Sequence, residues 1–143
     1  MKHFTIILAF LMTLSSPVAA QDLLKGFVAY WAGDFATALQ EWTPLAADVD
    51  GSRDVKYHLG LMYDNGDGVP QDYKEAAKWY RLAAEQGVAK AQINLATMYS
   101  HGQGVPQDYA EAMKWYRLAA EQGVAKAQYG LGIMYRQGLG VIQ

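Results

Sequence analysis

Cysteine is missing from all 143 residues. Its absence excludes disulfides, thiolate metal sites, a cysteine nucleophile and a lipidated N-terminal cysteine. Histidine is scarce: besides His3, only His58 and His101 occur, and no H-x-x-x-H pair brings two onto one helix face. A surplus of charge is also lacking. The net charge is −2, and Lys and Arg are dispersed among acids, so no basic patch exists to meet nucleic-acid phosphates. No serine sits in a nucleophile elbow. Gly66-Asp67-Gly68 and Gly102-Gln103-Gly104 have no preceding strand, P-loop lysine or third glycine of a dinucleotide fingerprint. These deficits predict a chain that is not an enzyme and holds no metal or cofactor.

The longest apolar run is short. Lys2 and His3 precede Phe4 to Leu14, a stretch of apolar residues and Thr. Ser15-Ser16-Pro17 interrupts it, and Val18-Ala19-Ala20 offers small residues at −3 and −1 of a peptidase site. A membrane span needs about 20 apolar residues. The expectation is therefore a cleavable signal over 1–20, a mature chain from near Gln21, no stable membrane insertion after cleavage, and a periplasmic or secreted protein of bacterial type.

What is abundant is internal repetition. Leu59 to Lys90 aligns without a gap on Leu95 to Lys126, 36 positions later. Val69-Pro70-Gln71-Asp72-Tyr73 returns as Val105-Pro106-Gln107-Asp108-Tyr109. Lys78 to Lys90 returns unchanged as Lys114 to Lys126. A third copy begins at Ala127, where Leu131, Met134 and Tyr135 match Leu95, Met98 and Tyr99. An earlier, divergent copy puts Asp34-Phe35 opposite Asp72-Tyr73 and Trp42 opposite Tyr80. The expected division is 21–53 for N-terminal capping helices and the divergent copy. Repeats then follow at 54–89, 90–125 and, in part, 126–143.

Each unit predicts two helices. The first runs from about Lys90 to His101, with Ala91, Leu95, Met98 and Tyr99 on one face of a 3.6-residue period. Gly102 and Gly104 end it, glycine taking a left-handed cap at little cost. The second starts at Asp108, whose carboxylate caps free N–H groups, with Glu111 completing a capping-box pattern; Asp72 and Glu75 do the same. Capping accounts for these carboxylate pairs without catalysis. Tyr109, Ala112, Trp115 or Tyr116, and Ala119 form the buried stripe. So short a pair cannot bury its aromatics alone, and neighbouring pairs must cover them. Small residues at Gly60, Ala96 and Gly132 let the axes approach.

The pattern A-x-x-x-L-[GA]-x-M-Y-x-x-G-x-G-V-P-Q-D-Y-x-E-A-x-K-W-Y-R-L-A-A-E-Q-G resembles the Sel1-like repeat, a relative of the tetratricopeptide repeat, from about Tyr30 to Val141. The resemblance implies an all-α fold, a right-handed α-α superhelical solenoid, used for binding. It implies an adaptor or regulator of protein assemblies, often in the bacterial envelope. Cysteine-rich secreted members are linked to β-lactam binding or hydrolysis, which supplies an alternative: a cell-wall-related small-molecule binder or hydrolase. Those members carry a disulfide in each repeat, and this chain has none.

In tetratricopeptide relatives the first helix of each pair lines the concave groove. Transferred by position, the groove shows Tyr57, Leu61 and Asn65, then Ile93, Thr97 and His101, then Tyr129, Ile133 and Arg136. Asp64, Ser100 and Gln137 fall beside them. Most of these positions differ among the copies while Leu59, Leu95 and Leu131 do not, as a common scaffold with specific decoration would give. The mixture suits a protein or peptide partner. Gln143 aligns with Gln107, so the second helix of the third unit is missing from the sequence. That leaves a truncated gene, a continuation in a longer protein, or an oligomer in which another chain completes the end.

Overall fold

A computed structural model describes residues 17–47 and 52–141. Among them every regular element is α-helical. The expected signal core over 4–14 lies outside the described residues, and no described helix is long and apolar enough to cross a membrane. Two compact units divide at Ser52 and Arg53.

The first unit contains α1 (Pro17–Trp31) and α2 (Phe35–Ala46). Gly33, at φ +79°, turns the chain, and the Asp34 carboxylate accepts from Thr37 N at 3.1 Å to cap α2. Trp42 is fully buried, with Phe27 edge-on at 4.8 Å and Tyr30 at 5.5 Å between ring centroids. Gly26 makes room for that indole: a Cβ there would stand 2.2 Å from Trp42 Nε1. Asp34 and Trp42 thus take the cap and core roles that Asp72 and Tyr80 take in the second unit.

The second unit contains α3 (Arg53–Asn65), α4 (Tyr73–Glu85), α5 (Ala89–His101), α6 (Tyr109–Glu121) and α7 (Ala125–Gln137). Each packs on the next in chain order. Gly102 and Gly138 end α5 and α7 in the left-handed conformation. The connector is then held at three points. Gln71 Nε2 donates to Asp64 O at 2.7 Å, and Gln107 Nε2 to Ser100 O at 2.8 Å, satisfying carbonyls at the helix ends. Asp72 N donates to Tyr63 O at 2.9 Å, and Asp108 N to Tyr99 O at 3.0 Å. The Asp72 carboxylate accepts from Lys74 N and Glu75 N, and that of Asp108 from Glu111 N.

The capping box expected from Glu75 and Glu111 does not close. The N–H each would accept is already given to the preceding helix. Glu75 instead pairs with Lys78 at 2.7 Å, and Glu111 accepts from Trp115 Nε1 at 3.2 Å. The alternative between Trp and Tyr in the buried stripe resolves differently in the two copies. In α4, Tyr80 is fully buried and Trp79 half-buried; in α6, Trp115 is buried and Tyr116 half-buried. Trp79 Nε1, by contrast, is buried with no acceptor.

Successive pairs are joined by contacts that recur at the repeat spacing. Arg81 Nη2 donates to the Tyr99 hydroxyl, its guanidinium 5.6 Å from that ring's centroid; Arg117 Nη2 donates to Tyr135 at 3.0 Å. Gln92 Nε2 donates to Ala84 O at 3.1 Å, and Gln128 Nε2 to Ala120 O at 3.5 Å. Within the pair α3–α4, Gly60 lies under Tyr80, where a Cβ would meet the ring at 2.5 Å.

Candidate partner-binding groove

The first helices α3, α5 and α7 carry the expected groove residues, and the structure sorts them into two groups. Tyr57, Ile93 and Tyr129 occupy one register, and they differ in how far they are covered. Tyr57 is half-buried with its ring centroid 6.0 Å from that of Tyr80. Ile93 is 4% exposed, packed with Ala119 and Ala127 beneath Tyr116 and Val124. It does not line a groove, because α6 of its own unit and the start of α7 cover it. Tyr129 is 71% exposed. Leu61 is half-buried against the main core, and Asn65 is exposed, its Nδ2 donating to Asp67 at 3.1 Å. Arg136 is exposed.

Thr97, His101 and Ile133 come together. An open hollow of about 510 Å³ lies between the end of α5, its connector, α6 and α7. Ser100, His101, Gln107, Tyr116, Gly130 and Ile133 are among its walls. Thr97 stands behind it, its hydroxyl 3.0 Å from that of Tyr116. His101 Nδ1 donates to Thr97 O at 2.8 Å, which fixes the ring and leaves Nε2 as its remaining polar atom. Tyr109, Met134 and Leu139 add apolar surface, and Gln107 Nε2 donates to the Tyr109 hydroxyl at 3.0 Å. The volume falls within the roughly 300–1,000 Å³ of ordinary ligand pockets.

Gly130 explains why the hollow sits here. One repeat earlier its place is held by Asn94, whose side chain lies near the Tyr80 hydroxyl. That hydroxyl donates to Asp64 Oδ2 at 2.8 Å. Burial first, then the Asp64 carboxylate, push the Tyr80 phenol far above its ordinary pKa. Around Tyr116 the corresponding residues are Gly130 and Ser100, so the space stays open. Transfer by position from the first helices alone could not find Gln107, Tyr109, Tyr116 or Leu139, which lie on the connectors and second helix. The glycine at 130 was the visible signal.

His58 is a packing residue. Its Nδ1 donates to Asp54 O at 2.7 Å, and burial holds its pKa below the usual imidazole value. Among the described residues no three His, Asp or Glu side chains are grouped to hold a metal ion.

The Sel1 repeat family matches residues 54–88, 89–124 and 125–143, and so most of the second unit. The chain belongs to the Sel1 repeat family. Its α-α solenoid is the fold of a protein-interaction scaffold, and Sel1 repeat proteins in general are not enzymes. Two solved structures are similar. One is a Sel1 repeat protein from Oxalobacter formigenes, with 38% identity and TM-score 0.76 over 82% of this chain and 48% of that one. The other is c5321 of uropathogenic Escherichia coli, described as a protective antigen with an SLR fold. It shows 43% identity and TM-score 0.78 over 86% of this chain and 27% of that one. The chain therefore spans less than half the length of either. No curated protein matches it.

Proposed function

We propose that this Sel1 repeat chain is a scaffold or regulator of the bacterial envelope that holds a segment of a partner protein along α5 and α7. The observation that carries the reading is the hollow at Gly130 and Ile133. There the two repeats share a backbone and differ in the side chains that fill or open one spot. Solenoids commonly bind extended ligands on such decorated surfaces. Residues 1–20, with their short apolar run and Val18-Ala19-Ala20, support export to the periplasm or medium.

A photo-crosslinking residue placed at Gln137 in the producing cell tests this, with the same residue at Leu82 as control. Leu82 lines a separate hollow with Lys74, Lys78 and Arg81. The expected result is a polypeptide adduct in the envelope fraction from Gln137 and none from Leu82. Adducts from Leu82 alone, or a saccharide adduct at Gln137, would overturn it. The N-terminus of the recovered protein should be Gln21.

A further inference from the structure

The open hollow has a chemistry of its own, and the inference that follows rests on the groove reading above. Its walls are apolar at Gly130, Ile133, Met134 and Leu139, and polar but uncharged at Ser100, Gln107 and Gln137. No carboxylate lines it. Asp108, beside the lining residues Gln107 and Tyr109, is committed to the cap of α6.

The helices that frame it are biased in charge. The chain as a whole is net negative, yet α5 and α7 contain Lys90, Lys126 and Arg136 and not one Asp or Glu. The first helix of the preceding unit, α3, contains Asp54 and Asp64. Lys126 is one turn before Gly130, so the two share a face; Arg136 lies about 60° around the helix from Ile133. On α7 only Lys126 thus shares the hollow's face, one turn before Gly130, while Arg136 lies off to the side. The Asp64 carboxylate that stands at the corresponding place one repeat earlier is replaced by Ser100.

We propose that this hollow binds an acidic peptide segment through one phenylalanine- or leucine-sized side chain. That side chain enters between Ile133, Met134 and Tyr116 while a flanking carboxylate faces Lys126. Complementary potential favours such a segment and disfavours a basic one of equal hydrophobicity. The specificity is local to the third unit, because Asn94 fills the matching space beside Tyr80 in the second.

The test uses the mature chain and three labelled, end-blocked pentapeptides followed by fluorescence anisotropy. These are Asp-Glu-Phe-Glu-Asp, Lys-Lys-Phe-Lys-Lys and Asp-Glu-Ser-Glu-Asp. Saturable binding is expected for the first alone. Gly130→Asn, which restores the residue of the preceding repeat, should weaken it about tenfold or more. Should that variant lose helical signal, His101→Glu gives the second reading: acidic peptide lost and lysine peptide gained. Equal binding of the lysine or serine peptide, or acidic-peptide affinity unchanged in both variants, would overturn the proposal. So would a dimer in sedimentation that Gly130→Asn dissolves, since the occupant would then be a second copy. Loss of the acidic peptide with the Gln137 polypeptide adduct intact removes this ligand chemistry only; loss of that adduct removes the groove reading itself.

Discussion

Gly104 lies against the backbone of Tyr73, so close that a Cβ on the glycine would stand 2.2 Å from the Tyr73 carbonyl oxygen. One repeat later Gly140 meets Tyr109 in the same way, at 2.4 Å. In these two connectors the second glycine is therefore where one unit touches the start of the previous unit's second helix. Gly104→Ala should destabilise the protein by about 2 kcal/mol or more, from strain at φ +71° and from the clash with rigid backbone. Gly87 also has a positive φ, yet nothing lies within 4 Å of its added Cβ. Gly87→Ala should cost only about 1 kcal/mol. Urea midpoints of the two variants measure the difference.

The aspartate caps carry a separate prediction. Asp108→Ala removes the acceptor of Glu111 N and should cost about 1 kcal/mol. Glu111→Ala leaves the cap intact but deprives Trp115 Nε1 of its acceptor. Fluorescence should register a changed tryptophan environment in Glu111→Ala, with the cap's contribution to stability retained.

Two residues of one register should behave oppositely. Ile93→Ala empties part of a covered cluster and is expected to cost about 2–5 kcal/mol. Tyr129→Ala, at a side chain 71% exposed, should fall within about ±0.5 kcal/mol. Thermal unfolding of the two variants decides this.

His58 gives a pH dependence whose sign is fixed by burial. Its folded pKa lies below the unfolded value of about 6.5. As pH falls below about 6.5 the unfolded chain takes up a proton that the folded chain does not, so stability declines. His58→Gln should remove that decline. The stability difference between wild type and variant, followed from neutral pH downward, should therefore shift against the wild type.

The sequence made the repeat, the helix starts at Asp72 and Asp108, and the glycine stops legible because these depend on local chemistry at fixed spacing. Glu111 escaped correct reading because its partner was decided by the tertiary bond from Asp108 N to Tyr99 O. Ile93 escaped for a related reason: whether a first-helix side chain faces outward or is covered depends on how α6 and the start of α7 pack over it. The hollow was harder still. It needs Ser100 and Gly130 from different helices, together with Tyr116 from a third, and only packing shows that they meet.

The central claim is that the α5–α7 surface at Ile133 holds a polypeptide partner. Calorimetric titration of the partner segment recovered by crosslinking tests it most directly, against wild type, Ile133→Asp and Leu82→Asp. Affinity should fall by about tenfold or more, roughly 1.4 kcal/mol, in Ile133→Asp and hold in Leu82→Asp. Undiminished binding to Ile133→Asp, with its helical signal intact, would contradict the account.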